Sequence, residues 1–139
     1  MSESPLIFYV DDDVEDLHDF QQAAQEMAEV RIFERGAEML LALPAQEPKI
    51  IFVDLNMPLK SGYEIIQEIR ATEQYNTIPI VVLSTASDNV SVTKSRELGA
   101  NYFIQKPTTL HKLAKSIRHT MTIDWQKFTP SYGEFIHKH

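Results

Sequence analysis

Short apolar runs alternate along the chain with longer segments in which apolar residues recur three and four positions apart. The runs cover residues 6–10, 50–53, 78–83 and 102–104, with a weaker one at 30–33. Each run is continuous and does not alternate with polar residues, which is typical of parallel strands that are buried on both faces. The pattern therefore predicts five strands of a parallel sheet.

The segments between these runs predict five helices. The helical spacing is clearest over residues 14–28 and 110–121, and Ser61 with Glu64 matches a capping box that opens another helix. Strands that alternate with helices in this way favour an α/β domain with a doubly wound sheet and right-handed crossovers. Such sheets bind ligands at the carboxyl ends of their strands, so the residues that follow each run are the candidates for chemistry.

Polar side chains follow four of the predicted strands. Asp11 and Asp12 follow the first strand, Asp54 the third, Ser84 the fourth and Lys106 the fifth. Because parallel strands end at the same edge of a sheet, we expect these side chains to converge. Carboxylates within ~4 Å of one another repel by a few kcal/mol at an effective dielectric near 20, and a hard divalent cation removes that repulsion. Oxygen ligands without His or Cys favour Mg²⁺.

An aspartate in such a site can act as a nucleophile and form an acyl phosphate, and Asp54 is the candidate. Mg²⁺ and Lys106 would neutralise charge that grows on the transferred phosphoryl group, and the Ser84 hydroxyl could donate a hydrogen bond to it. Taken singly, each residue also has an ordinary role in a turn, a helix start or a solvated surface. Their joint placement predicts a phosphoryl-acceptor site.

The composition limits the alternatives. The chain has 139 residues and a net charge of −7, which suits one domain and excludes a generally basic surface that coats nucleic acid. It has no cysteine, which excludes disulfides and thiolate metal sites. No apolar run approaches the ~20 residues of a membrane helix, and the N-terminus lacks a signal-peptide pattern. We therefore expect a cytoplasmic protein that binds neither nucleic acid nor membrane.

Four motifs occur in the order and spacing of one known family. They are Val10-Asp11-Asp12, Val53-Asp54-Leu55-Asn56-Met57-Pro58 followed by Gly62, Pro79-Ile80-Val81-Val82-Leu83-Ser84, and Lys106-Pro107. Over about residues 5–122 the chain resembles the receiver domain of two-component response regulators, the family of the bacterial chemotaxis response regulator. The resemblance implies a flavodoxin-like sheet of five parallel strands in the order 2-1-3-4-5, with five helices. It also implies a receiver domain over residues 1–123, and an extension over 124–139 that holds no output domain.

The resemblance implies the metal site and the phosphorylated residue. Asp54 matches the aspartate that is phosphorylated in the family. Asp12 and Asp54 would bind Mg²⁺, or Mn²⁺ in its place, directly, and the backbone carbonyl of Asn56 would be a further ligand. Asp11 would act mainly through water. Asn56 also falls on a position that influences the lifetime of the acyl phosphate.

The remaining site residues also follow from the resemblance. Lys106 would form an ion pair with the phosphoryl group, and its peptide bond to Pro107 is expected to be cis. Ser84 matches the switch hydroxyl and Phe103 the switch aromatic residue, which is more often Tyr. Ala86 matches a second position that influences lifetime, and its small side chain should leave water a path. Phosphorylation would change the face made by the fourth helix, fifth strand and fifth helix.

The function implied is a stand-alone receiver that accepts a phosphoryl group from a histidine kinase or a phosphotransfer protein and signals through protein contacts. It would assist its own phosphorylation and dephosphorylation without being an enzyme in the usual sense. A phosphorelay shuttle is the nearest alternative. An aspartyl-phosphate phosphatase of the haloacid dehalogenase type is less favoured, because it expects a second Asp where this chain has Asn56. A flavodoxin-like electron carrier is disfavoured because Asp11 and Asp12 would repel a flavin phosphate.

Two surface features point to partners. No acidic residue occurs over 98–123, where Lys112 and Lys115 accumulate with other basic residues, so the fifth helix is a candidate docking face for an acidic downstream protein. Ordinary solvation and the preference of cations for a helix C-terminus explain the same pattern. Residues 124–139 carry four aromatic side chains, which predicts that they pack on the domain or on a second copy. A homodimer would then form through this extension or through the face of the fourth and fifth helices.

Overall fold

The structure is a computed structural model that describes residues 4–137; residues 1–3 and 138–139, at the outer ends of the predicted domain and extension, lie outside the described range. The strands are β1 (Leu6–Val10), β2 (Glu29–Phe33), β3 (Ile50–Val53), β4 (Ile80–Ser84), β5 (Tyr102–Gln105) and β6 (Ile136–His137). The helices are α1 (Val14–Ala24), α2 (Gly36–Ala42), α3 (Gly62–Ala71), α4 (Asn89–Leu98), α5 (Leu110–Thr122) and α6 (Tyr132–Phe135). A 3-10 turn over Glu73–Tyr75 follows α3.

The strands form one parallel sheet in the order β2-β1-β3-β4-β5-β6. The predicted α/β fold and the order 2-1-3-4-5 are therefore confirmed. The predicted numbers of five strands and five helices are each one short, because α6 and β6 lie in the extension. Their four and two residues are too few to produce a helical or strand periodicity in the sequence.

Helices cover both faces of the sheet, which explains why the strands read as continuous apolar runs. On one face, the core beneath α2, α3 and α4 includes Phe8, Val53 and Phe103. On the other face, the core beneath α1 and α5 includes Phe52 and Tyr102. The side chains of Tyr102 and Phe103 thus point to opposite faces, as successive residues of a strand must.

Capping side chains set where the helices begin near the carboxyl edge of the sheet. The Asp13 carboxylate accepts hydrogen bonds from the backbone N–H groups of Glu15 and Asp16, so it caps α1. Ser61 caps α3 by accepting from the N–H of Glu64. The acidic residues near the start of the chain therefore divide into two groups. Asp11 follows the end of β1, and Asp13 caps the start of α1.

The extension packs on the domain. Trp125 and Phe128 lie against the core of the α1 and α5 face, with the Phe128 ring 5.8 Å from that of Tyr102. Phe135 is buried in the opposite core against Phe103. Residues 125–137 thus wrap the outer edge of the sheet. Within residues 4–137, no helix is both long and apolar enough to cross a membrane.

Candidate functional site

The carboxyl edge of the sheet brings acidic and basic side chains from three strands together. Carboxylate oxygens of Asp11, Asp12 and Asp54 all lie within 4.8 Å of one another. The Lys106 Nζ, which follows β5, is 2.7 Å from the Asp11 Oδ2 and 3.7 Å from the Asp54 Oδ1. The edge thus carries a compact cluster of three carboxylates with one ammonium group.

Asp11 is fully buried, and both of its carboxylate oxygens accept hydrogen bonds. The Oδ1 accepts from the backbone N–H of Asp13 at 3.0 Å. The Oδ2 accepts from the Tyr9 hydroxyl at 2.5 Å and from Lys106 at 2.7 Å. Burial raises the pKa of the Tyr9 hydroxyl, and the negative charge of Asp11 raises it further, so Tyr9 remains a proton donor to this carboxylate. The contacts hold Asp11 in one orientation.

Lys106 is shared among three acids. Besides Asp11 and Asp54, its Nζ contacts the Oδ2 of Asp16, in the first turn of α1, at 2.7 Å. Burial by itself lowers the Lys106 pKa, but the hydrogen bonds to Asp11 and Asp16 and the charge of Asp54 outweigh it, so the net shift is upward. Lys106 therefore stays charged at any ordinary pH.

The bond between Lys106 and Pro107 is trans, since residues 4–137 contain no cis peptide bond. The expectation of a cis bond is wrong for this structure. Trans is the intrinsically favoured isomer of a bond before proline. From the trans bond the Lys106 Nζ already reaches Asp11, Asp16 and Asp54, so the contacts do not require the cis form.

Asp54 carries the strongest electrostatic conflict at the edge. Burial raises its pKa to about 7, and the charges of Asp11 and Asp12 contribute to the rise, while Lys106 opposes it. The single ammonium group therefore leaves part of the negative charge of the cluster uncompensated. A divalent cation bound by carboxylate oxygens would compensate it, so the residues present fit such an ion.

Close backbone contacts fix Asp54 in place. The N–H of Asp54 donates to the carbonyl of Val10 at 3.1 Å, and the N–H of Gly62 donates to the carbonyl of Leu55 at 3.0 Å. A Cβ atom on Gly62 would lie 2.2 Å from the carbonyl oxygen of Asp54. Only glycine therefore lets α3 begin this close to the end of β3. The loop between them carries the exposed Asn56.

The predicted switch residues lie on the neighbouring strands β4 and β5. Ser84 is fully buried, and its Oγ accepts a hydrogen bond from the N–H of Ala86 at 3.2 Å. The N–H of Lys106 donates to the carbonyl of Ser84 at 2.8 Å, which joins the ends of the two strands. Phe103 is also fully buried, within the core beneath α4 and not among the carboxylates.

Two residues at the site were not predicted from the sequence. Asp16 lies among the acidic residues that begin α1, and Tyr9 lies in the apolar run of β1. Asp16 lies in the first turn of α1, and no sequence pattern shows that it reaches Lys106. Tyr9 precedes Asp11 by two residues, so both point to the same side of the strand. That spacing was the sequence signal for a contact between Tyr9 and Asp11.

Known proteins share this arrangement of sequence and fold. A family model described as the response regulator receiver domain matches residues 7–118. The response regulator Rcp1 of Synechocystis is 37% identical over 71 residues, 51% of this chain and 48% of Rcp1. The transcriptional regulatory protein PrrA of Mycobacterium tuberculosis is 30% identical over 116 residues, 83% of this chain and 49% of PrrA. The segments matched in sequence thus span about half the length of each of these relatives.

Solved structures agree with the sequence comparison. The phosphorylated cyanobacterial phytochrome response regulator RcpA superposes with a TM-score of 0.78 at 29% identity, covering 92% of this chain and 98% of RcpA. The Mn²⁺-bound form of Rcp1 superposes with a TM-score of 0.74 at 28% identity, covering 91% of this chain and 99% of Rcp1. The similarity therefore extends over nearly the whole fold.

Proposed function

Because the chain belongs to the response regulator receiver domain family, we propose that it accepts a phosphoryl group on Asp54 and passes the signal on through protein contacts. The observation that carries the proposal is the cluster at the carboxyl edge, where Asp54 lies beside Asp11, Asp12 and Lys106. The donor would be a histidine kinase or a phosphotransfer protein. The phosphorylated RcpA structure supports the assignment by similarity.

A Mg²⁺ ion, or Mn²⁺ in its place, would be held by Asp12, Asp54 and the backbone carbonyl of Asn56, with Asp11 acting through water. The uncompensated negative charge at Asp54 supports a cation here, as does the absence of nitrogen and sulfur ligands from the cluster. When bound, the ion would neutralise charge on the phosphoryl oxygens. The structure of Rcp1 with Mn²⁺ is a precedent in a relative.

The chemistry would proceed by transfer of the phosphoryl group from a phosphohistidine nitrogen to the Asp54 carboxylate. An oxygen of ionised Asp54 forms the new bond to phosphorus while the bond from phosphorus to the donor nitrogen breaks. Lys106 would leave its contacts with Asp11 and Asp16 and pair with a phosphoryl oxygen. The Ser84 hydroxyl would donate a hydrogen bond to another oxygen. Water would later hydrolyse the acyl phosphate, at a rate influenced by Asn56 and Ala86.

The signal would leave through the face of α4, β5 and α5. Ser84 and Phe103 lie on the neighbouring strands β4 and β5, so a movement of Ser84 can reach that face. A groove of about 600 Å³ between α5 and strands β5 and β6 is lined by Tyr102, Ile104, Lys112 and Lys115 among others. This combination suits an acidic downstream protein. A second copy of the chain, bound through this face or the extension, would be another occupant.

The proposal includes a receiver domain over residues 1–123, followed by the extension over residues 124–139. A phosphorelay shuttle uses the same site and differs in returning the phosphoryl group to a histidine. The phosphatase alternative has less support, because Asn56 occupies the position where that class has its second aspartate. The proposal also includes a cytoplasmic location, with neither nucleic acid nor membrane as a partner.

The test is phosphorylation of the purified chain by acetyl phosphate with Mg²⁺, followed by intact mass spectrometry. Wild type should gain one phosphoryl group, and the gain should disappear when Mg²⁺ is removed by a chelator. Asp54→Asn is the control, because it keeps the size of the side chain and removes the nucleophile. A wild type that gains no mass, or an Asp54→Asn variant that gains as much, would overturn the proposal.

A further inference from the structure

The last described segment of the chain, residues 130–137, lies on the same face that is proposed to carry the signal. Its strand β6 pairs with β5, with Ile136 opposite Phe103 and His137 opposite Ile104. Phe135 is only 1% exposed, and the centre of its ring is 6.4 Å from that of Phe103. The segment therefore covers the proposed switch aromatic residue.

Contacts with α4 also hold residues 130–137 on the domain. The Nη2 of Arg96 donates to the carbonyl of Pro130 at 2.7 Å, and the Arg96 guanidinium lies over the Phe135 ring at 5.8 Å. The Tyr132 hydroxyl donates to the Oδ1 of Asn89 at 2.8 Å. The segment thus joins α4 to β5, the two elements whose relative movement would carry the signal.

The attachment is small enough to be reversible. Phe135 is the one fully buried side chain among described residues 130–137, the strand pairing covers two residues, and residues 131–134 are exposed. A cavity of about 240 Å³ remains between the segment and the end of α4, lined by Arg96, Ala100 and Phe135 among others. Surface hydrogen bonds, one buried aromatic side chain and the partly buried Ile136 can open locally without unfolding the domain.

We propose that residues 130–137 are a detachable latch that occupies the partner-binding face in the unphosphorylated chain and is loosened by phosphorylation. The inference rests on the proposed function of Asp54. Ser84 lies opposite Gln105 in the register of β4 and β5, and Phe103 lies two residues before Gln105. A movement of Ser84 toward a phosphoryl group therefore disturbs the strand that supports Phe103. It thereby also disturbs the packing of Phe135 on Phe103.

The latch also indicates the chemistry of the partner. Its binding mode is a short parallel strand added to β5, with one aromatic side chain buried over Phe103. A partner that competes for this place would present an extended segment with an aromatic residue in the same position, since added strands bind through backbone hydrogen bonds and side-chain pockets. Release of the latch would expose that site.

Amide hydrogen exchange on the full chain tests the latch, with and without acetyl phosphate and Mg²⁺, while intact mass reports phosphorylation. Exchange of peptides covering 130–137 should accelerate at least about fivefold in the phosphorylated chain, the lower end of typical allosteric coupling. Peptides from β1 and β3 should not change. A phosphorylated chain with unchanged exchange over 130–137 would overturn the latch alone. A chain that gains no mass would instead overturn the proposed function, and the latch with it.

Reciprocal coupling provides a second test, because a latch that phosphorylation loosens must itself oppose phosphorylation. Phe135→Ala should raise the phosphorylated fraction at limiting acetyl phosphate by about fivefold. Phe128→Ala is the matched control, since Phe128 lies in the same extension but packs on Tyr102, and it should leave the fraction unchanged. If Phe135→Ala does not fold, Arg96→Gln replaces it in this test, because it weakens the surface contact between Arg96 and Pro130 of the latch. Fractions equal to wild type in both latch variants would contradict the proposal.

Discussion

At the scale of single residues, the site is organised by a shortage of positive charge. Three carboxylates meet at the sheet edge, and Lys106 divides its ammonium group among two of them and Asp16. Asp54, the proposed nucleophile, is buried and receives the weakest of these contacts, at 3.7 Å. Its burial, and after that the charges of Asp11 and Asp12, raise its pKa to about 7. A bound cation would lower the pKa of Asp54, the residue that must be ionised to react.

The raised pKa of Asp54 predicts how stability depends on pH. Between about pH 4 and pH 7 the folded chain keeps a proton on Asp54 that the unfolded chain has released, so the free energy of unfolding falls as the pH rises through this window. The side chain of Asn in Asp54→Asn cannot ionise, so this variant does not lose stability in this way as the pH rises. Without Mg²⁺, its stability advantage over wild type should grow by about 2–3 kcal/mol between pH 5 and pH 8.

Urea unfolding at the two pH values, in the presence of a chelator, measures this advantage. Addition of Mg²⁺ at pH 8 should stabilise wild type and narrow the gap, because the ion binds only the folded chain. Asp54→Asn should respond to Mg²⁺ less. An advantage that is the same at pH 5 and pH 8 would show that Asp54 ionises normally in the folded chain.

At the scale of elements, the site depends on how closely α3 follows β3. Gly62 begins α3 directly over the backbone of Asp54, where a Cβ atom would lie 2.2 Å from a carbonyl oxygen. Backbone atoms cannot move aside to make room for this Cβ atom, as a flexible side chain could. The helix start and the nucleophile are therefore positioned by one contact, and a change at Gly62 should affect both.

Gly62→Ala should lower the free energy of unfolding by about 2–3 kcal/mol, within the range of overpacked sites, and should slow phosphorylation by acetyl phosphate. Gly133→Ala is the matched control, because no atom lies within 4 Å of its added Cβ, and it should change neither quantity. Thermal unfolding and intact mass measure the two effects. Equal stability and equal phosphorylation in the two variants would contradict the role of this contact.

The elements differ in how well the sequence predicts them. Strands β1, β3, β4 and β5 were predicted because burial on both faces requires continuous apolar runs. The weaker run at 30–33 predicted β2, an edge strand whose Glu29 and Arg31 are exposed. The strand β6 was missed because two residues form no pattern. The sequence indicated packing of the extension through its aromatic residues but not the added strand, which depends on an open edge at β5.

At the scale of the whole molecule, the parallel sheet converts distant sequence positions into one site. This topology is why Asp11, Asp54, Ser84 and Lys106 could be assigned to one edge from the sequence: strand ends gather there regardless of side-chain detail. Their hydrogen-bond partners could not be assigned in the same way. The pairing of Lys106 with Asp16 depends on the orientation of α1, and the trans bond to Pro107 depends on the local path of the chain.

Asp54, and no other acid of the cluster, is proposed to become the acyl phosphate. Borohydride reduces an aspartyl phosphate to homoserine, so treatment of the acetyl phosphate-labelled chain, followed by proteolysis and peptide sequencing by mass spectrometry, identifies the residue. We expect homoserine at position 54, in a yield that depends on Mg²⁺. Homoserine at position 11 or 12, or its absence from a chain that has gained a phosphoryl group, would contradict the claim.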